Sequence, residues 1–549
     1  MQKGELSSAE ASISGPIPEE PFVDQEEFQE WYWDDVNGGW LPPDKVREAR
    51  MLEMDYLKKQ NVYEKRPLSE AFQVTGRRPI AVRWLDTDKG DPTKPNFRSR
   101  LVVKDIKAAK AESEQLPQNL LFSSTPPLES MRLLCSLMST QKLSKRGQKL
   151  KLGLWDISRA HFYGIPKRTI YIDSYTESGE KECGLLMKSM YVTQDAPNIW
   201  QSHYTGLLES AGIKRGRSNA SVFYRESDGT RIVVHGDDFL VLSDSQGLQE
   251  VDDLLRSDYE LKRLGTLGFE EGDDREIHFL NRLIRVGKHN GRQAVFLEPD
   301  RKHLDLLIRE LGLDTAKGVD TPDVKKSVDQ QMLESKSPIL GKDLAKTYRS
   351  CVMRAAYLSQ DRPDISHTVK DLARGMVNPT EAKWSDLKRL GRFLKKYPDF
   401  TQIFAEQRMP NSIRVQVDSG HAGCAVTRRS TTGMMALFEH ASNVQSTISL
   451  STGESEYYAL VKGGSIYGVG PSIIAAGSRN RFASSGRIRL QFGKRSREPD
   501  RIRKSEAHTN QIPMAARKSS HEPPEGVTCT RQKQSGRRTD QKRARGADA

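Results

Sequence analysis

The chain has 549 residues and a formal net charge of +13, with 36% hydrophobic residues and a mean hydropathy of -0.66. At about 150 residues per domain that allows three to four domains, and the absence of any run of about 20 apolar residues excludes a hydrophobic helical membrane span. The opening MQKGELSSAEASISG lacks the charged start and apolar core of a secretory signal, and five scattered cysteines (Cys135, Cys183, Cys351, Cys424, Cys529) form no C-x-x-C pair, which argues against a zinc ribbon or disulfide scaffold and for a reducing, intracellular setting.

The charge is uneven. Residues 1–50 carry 4 basic and 12 acidic side chains, whereas residues 471–549 carry 19 basic and 7 acidic ones. The middle is therefore also basic, which suits contact with nucleic-acid phosphates as well as an ordinary solvated surface. Residues 1–60 read as an acidic leader ending in a helix over Asp44–Gln60, with Val46, Met51, Met54 and Leu57 at helical spacing. Residues 79–104 read as two strands around a Gly/Asp/Pro turn, with Arg98, Arg100 and Lys104 on the second. MRLLCSLM at 131–138 is a buried helix and KLGLWD at 151–156 a short apolar strand ending in Asp156. A helix over 196–212 precedes RIVVHGDDFLVL at 231–242, where two apolar strands flank a Gly-Asp turn and define a tight hairpin.

Helices are expected over 248–258 and 300–312, and a mostly helical block over 344–397. In its last helix Leu387, Leu390 and Leu394 share one face, with Lys388, Arg389, Arg392, Lys395 and Lys396 on the rest. SIRVQVD at 412–418 is a strand, and GESEYYALVKGG at 453–464 opens a helix. From 471 onward there is no Trp or Tyr and no sustained apolar period, so the segment reads as a basic, disordered tail. Its QKRARG cluster is raw material for RNA binding or nuclear import.

Asp156 ends one strand, and Asp237 with Asp238 occupies a hairpin turn. Carboxylates at the ends of neighbouring strands can converge. Three of them offer hard oxygen ligands to Mg²⁺, with substrate phosphates completing the shell. Two ions roughly 3.5–4 Å apart can activate a 3′-hydroxyl and stabilise a leaving pyrophosphate. Taken alone, Gly-Asp-Asp reads first as a polar turn.

The order of elements resembles the fingers and palm of a reverse transcriptase, and more specifically a copia-type retrotransposon polyprotein. The resemblance rests on RWLD…RSRLVVK at 83–104, WDISRAHFYG at 155–164, LMKSMYVTQDAPNIW at 186–200, HGDDFLVLSD at 235–244, YELKRLG at 259–265 and IHFLNRLI at 277–284. YRSCVMRAAYLSQDRPDISHTV at 348–369 and WSDLKRLGRFLKKY at 384–397 are similar to the family's connecting segment. It implies an α+β right-hand polymerase, with fingers and palm over 61–290 and thumb and connection over 291–400. By position Asp156, Asp237 and Asp238 would be the catalytic metal ligands, for Mg²⁺ or Mn²⁺. Arg98, Arg100 and Lys104 would lie near the incoming triphosphate, where guanidinium donors suit phosphate oxygens. His161, Val192 and Lys262 would border the same nucleotide, and a structural salt bridge is an equal reading of Lys262. The implied partners are an RNA template, a DNA primer or duplex and dNTP, with no membrane, at a cytoplasmic or nuclear location.

Three positions depart from the family pattern. His161 stands where a bulky aromatic excludes ribose 2′-hydroxyls, and Val192 and Asn281 each replace a glycine. VDSGHAGCAVTRRSTTG at 417–433 and STISLSTGESEYYAL at 446–460 resemble a copia-type RNase H domain over 411–470. Asp418 and Glu456 match two of its carboxylates, and two further aspartates have no counterpart in a matching context. A reading-frame slip near codon 470 would explain the change in composition. Asp-Ser-Gly at 418–420 also matches the aspartic-protease triplet, although the turn and Glu-bearing segment that follow do not suit that fold. The leading expectation is an RNA-directed DNA polymerase with a vestigial RNase H. The alternatives are a catalytically inert transposon remnant that retains nucleic-acid binding, and an RNA-dependent RNA polymerase.

Overall fold

The computed structural model describes residues 32–90, 93–105, 117–173, 182–407, 409, 412–420, 423–436, 439–444, 487–492 and 510–513. The chain divides into two units, Met1–Phe122 with His161–Trp200, and Ser123–Ala160 with Gln201–Ala549. Among the described residues no helix is long and apolar enough to cross a membrane.

In the first unit, helix Pro43–Lys59 starts with a proline in its first turn, where the missing N–H costs nothing, and buries Val46, Ala49 and Leu57. Strands Val82–Asp88 and Phe97–Val103 form the expected hairpin, in which Leu85 faces Arg100 and Thr87 faces Arg98. Strands Tyr63–Pro67, Glu182–Leu186 and Tyr171–Asp173 make a separate three-stranded sheet. Leu57, Val82, Leu101, Val103, Phe162 and Met190 share the unit's main core.

The second unit is built on a six-stranded antiparallel sheet. Its order is Leu261–Leu267, Lys151–Ile157, Asp238–Ser243, Arg231–His235, Val222–Tyr224, Lys214–Arg215. Strand alternation sorts its side chains. Leu152, Leu154, Leu240 and Leu242 enter the core shared with helix Leu128–Gln141. Gly153 and Trp155 point the other way, toward helix Ser245–Asp258. A Cβ on Gly153 would stand 3.1 Å from Leu248 of that helix and 2.5 Å from Trp155 itself.

A four-stranded sheet follows, Glu276–Phe279, Arg282–His289, Arg292–Pro299 and Gln402–Ala405. It runs through the division expected at residue 290. Asn290 and Gly291 both take positive φ (50° and 78°), the signature of a two-residue hairpin turn, so Arg282–Pro299 is one β-ribbon. Helices Lys302–Glu310, Lys342–Ser359, Ser366–Ala373 and Glu381–Lys396 enclose a second core. The cations of the last helix are engaged within the unit. Arg389 donates to Thr321, Arg392 to the Lys317 carbonyl and Lys395 to the Ala316 carbonyl, and Lys396 pairs with Asp320.

The two cores are joined by a buried ion cluster. Asp361 accepts from Arg282 Nε at 2.8 Å and from Arg132 at 3.1 Å, and all three side chains are less than 5% exposed. Further on, Ser412–Gly420, Thr431–Ala436 and Glu439–Val444 pair antiparallel, and Arg487–Phe492 joins Ser412–Gly420 in parallel. That strand and Asn510–Pro513, which pairs with it, differ from the disorder expected over 471–549. In RIRLQF the apolar residues Ile488, Leu490 and Phe492 alternate with polar ones, a period-two pattern too short to weigh against the composition around it. Residues 1–31 and the rest of the tail lie outside the described residues.

Candidate active site

The hairpin that carries Asp237 and Asp238 closes over two residues, with His235 opposite Asp238. Gly236 takes φ +66° while Asp237 keeps a negative φ, as in a type II′ turn with glycine at its first central position. An added Cβ at Gly236 would meet nothing, so backbone conformation alone calls for glycine there. The Ile157 N–H donates to the Asp237 carbonyl at 3.0 Å and ties the turn to the end of the strand that carries Asp156.

Register then does the assembling. Asp238 is the cross-strand partner of Asp156, and Lys262 is the partner of Asp156 from the other side. Directly opposed residues have Cβ atoms about 4.5–5.5 Å apart on one face. Asp238, Asp156 and Lys262 therefore form a row across three strands, with Asp237 exposed at the turn beside it. Burial, with the charges of Asp237 and Asp156 added, pushes the Asp238 carboxyl up to about 7. Two like charges beside a half-buried carboxylate destabilise its ionised form. A divalent cation would relieve that repulsion, and an all-oxygen donor set suits Mg²⁺ or Mn²⁺. Among the described residues, no three His, Cys, Asp or Glu side chains are gathered closely enough to hold a metal ion as they stand.

Behind the row sits a support that the sequence did not reveal. The Trp155 indole N–H donates to Asp252 at 2.6 Å, Arg256 pairs with Asp252 at 2.6 Å, and the Arg263 guanidinium lies 5.5 Å from the Trp155 ring centroid. A bulge between Arg263 and Gly265 sets this register, so that Lys262 and not Arg263 stands opposite Asp156. The only local signal was the i,i+4 spacing of Asp252 and Arg256.

The other expected nucleotide residues lie in the first unit. Arg98 and Arg100 sit two apart on strand Phe97–Val103 and so share a face, Arg98 exposed and Arg100 half-buried, and Lys104 follows the strand's end, exposed. The Arg100 guanidinium lies 4.9 Å from the centroid of the Tyr191 ring, and His161 meets the same ring edge-on at 5.7 Å. Val192 is 54% exposed and holds φ +66°. The segment around it is pinned. Val103 N–H donates to the Tyr191 carbonyl at 3.1 Å, and the buried Asp105 carboxylate accepts from the Gln194 N–H at 3.1 Å and pairs with Arg168. Arg168 also reaches Asp195 at 3.4 Å. Sequence reading did not single out Tyr191, Asp105 or Arg168. Asp418 lies within strand Ser412–Gly420 opposite Gly433, and Glu456 lies outside the described residues.

Residues 72–291 match the family described as reverse transcriptase (RNA-dependent DNA polymerase). The chain is similar to retrovirus-related Pol polyproteins from plant transposons. It is 23% identical over 442 residues to the retrovirus-related Pol polyprotein from transposon TNT 1-94 of Nicotiana tabacum, covering 76% of this chain and 31% of that one. It is 25% identical to the Pol polyprotein from transposon RE2 of Arabidopsis thaliana, covering 69% of this chain and 25% of that one. The chain thus spans between a quarter and a third of the length of these relatives. Among solved structures, the foamy viral protease-reverse transcriptase dRH in complex with double-stranded DNA aligns over 82% of this chain and 62% of that one, at 14% identity and a TM-score of 0.42.

Proposed function

We propose that the chain is an RNA-directed DNA polymerase that adds dNTPs to a primer 3′-hydroxyl on an RNA template. The observation that carries this is the register of Asp238 against Asp156, with Asp237 at the adjoining turn, inside the segment that matches the family. Asp156, Asp237 and Asp238 would hold Mg²⁺, with Mn²⁺ as a substitute. When bound, the metal supplies Lewis acidity to the attacking hydroxyl and neutralises charge on the leaving pyrophosphate. The chain's own part is positioning and charge, which is most of what phosphoryl transfer requires. Lys262 brings an ammonium to the acidic row, and Arg98, Arg100 and Lys104 supply donors for a triphosphate.

His161 is smaller than the aromatic residue that the resemblance implies at its place, which points to weaker exclusion of ribonucleotides. An RNA-dependent RNA polymerase is disfavoured by the family match. An inert remnant is disfavoured by the intact acidic register. The RNase H-like reading rests on Asp418 and Glu456 alone and remains vestigial, and the proposed location is intracellular, cytoplasmic or nuclear.

The test is primer extension on poly(rA)/oligo(dT) with Mg²⁺, comparing the parent with Asp237→Asn. Extension should be abolished while binding of a fluorescent primer–template persists. Equal extension by parent and variant would remove the carboxylates from the chemistry, and rNTP preferred over dNTP would favour the RNA polymerase reading.

A further inference from the structure

Tyr191 is 9% exposed, and its ring is in contact on several sides. Phe162 packs against it with centroids 5.0 Å apart, His161 approaches edge-on at 5.7 Å, and the Arg100 guanidinium lies over it at 4.9 Å. The backbone is fixed as well. The Tyr191 carbonyl accepts from Val103, at the end of the strand that carries Arg98 and Arg100, and the Gln194 N–H is held by Asp105, two residues beyond that strand. Among the described residues, the ring thus lies against both Arg100 and His161. A guanidinium over an aromatic face loses side-chain freedom and keeps its edge donors available to an anion.

We propose that Tyr191 is a positioning residue that presents Arg100 to a nucleoside triphosphate and sets the place of His161 relative to it. This rests on the polymerase reading and adds to it a dependence of nucleotide affinity on a residue with no charge. Stacking of this kind changes affinity by about twofold to thirtyfold, according to how dry the contact is. Tyr191 acts through Arg100, so its effect should vanish when Arg100 is gone.

The experiment measures KM and kcat for dTTP on poly(rA)/oligo(dT), and equilibrium binding of a fluorescent dTTP with Mg²⁺, using the full chain. Tyr191→Phe should keep KM within twofold of the parent. Tyr191→Leu should raise KM and the dissociation constant about tenfold with kcat within twofold, and should add nothing in an Arg100→Met background. Arg100→Lys, which leaves the Tyr191 core packing in place, should also weaken dTTP binding severalfold and so keeps the test open if Tyr191→Leu does not fold. Tyr191→Leu matching the parent, or its effect persisting in full in Arg100→Met, overturns this inference alone. A folded parent that neither extends a primer nor binds dTTP overturns the polymerase reading and this inference with it.

Discussion

Replacing Val192 by glycine should stabilise the first unit. A β-branched residue in the left-handed region is a backbone outlier, and such strain costs about 1–3 kcal/mol. Val192 holds φ +66° because both flanks are fixed, by the Val103–Tyr191 hydrogen bond on one side and the Asp105–Gln194 hydrogen bond on the other. Glycine removes the strain and returns roughly 0.5–1 kcal/mol to the unfolded chain as entropy. The side chain itself contributes little packing, being 54% exposed. The net gain is about 0–2.5 kcal/mol, centred near 1 kcal/mol, the difference of those two terms. Asn281→Gly is the control, since Asn281 holds φ +57° but asparagine is tolerated there, so its gain should be only a few tenths of a kcal/mol. Hydrogen exchange of peptides covering 98–104 and 186–196 reads the effect locally, and urea unfolding reads it globally. Faster exchange or lower stability in Val192→Gly, or equal gains at both sites, would refute the strain argument.

Other outcomes follow from the charges. With divalent metal chelated, Asp238→Asn should stabilise the fold above pH 7 and not at pH 4. The folded carboxyl is raised to about 7, so the stability of its protonated form is present below its ordinary value and lost as pH rises through 7. After discounting for partial solvent access the gain is about 2 kcal/mol, read by thermal melts at both pH values. Asp228 is the opposite case. Burial alone would raise it, but hydrogen bonds from Arg225 and Thr230 outweigh burial and hold it at about 2. Its stabilisation, about 2 kcal/mol, is therefore present above pH 4 and lost as pH falls toward 2. Asp228→Asn should flatten that acid limb, and an unchanged limb would count against the network. Asp361→Asn should cost about 3–5 kcal/mol, because it leaves the Arg132 and Arg282 guanidiniums buried against a neutral amide. Urea unfolding checks it, and a loss under 1 kcal/mol would refute the cluster's role.

What the sequence made legible was local. The strand–Gly-Asp–strand pattern at 231–243 specifies its own hairpin, because apolar strands, a glycine and a two-residue turn agree on one register. Lys151–Ile157 and Leu128–Gln141 are equally local, marked by apolar runs. The supports of the site are not local. Arg282 and Arg132 meet Asp361 from 79 and 229 residues away, and Asp105 meets Gln194 across 89. No periodicity encodes such pairings. The basic face of Glu381–Lys396 was legible in sign but not in partner, since the carbonyls of 314–317 that it meets carry no charge in the sequence. The Asn290–Gly291 turn was present to be read, and it places the ribbon across the division expected at 290.

The departures noted in the sequence do not weigh equally, and their distribution bears on the activity proposed for the chain. Asn281 adopts a conformation that asparagine tolerates, so asparagine in place of the glycine that the resemblance implies costs little. Val192 and His161 fall in the first unit, around Tyr191 and Arg100, where a triphosphate and sugar are proposed to sit. The acidic row in the second unit keeps its register, its glycine turn and its Trp155–Asp252 support. Under the proposed function, a defect confined to the first unit would weaken substrate binding and sugar discrimination while leaving the proposed metal ligands in place. The chain is therefore expected to show a raised KM for dNTP with measurable kcat, rather than a loss of turnover at every substrate concentration.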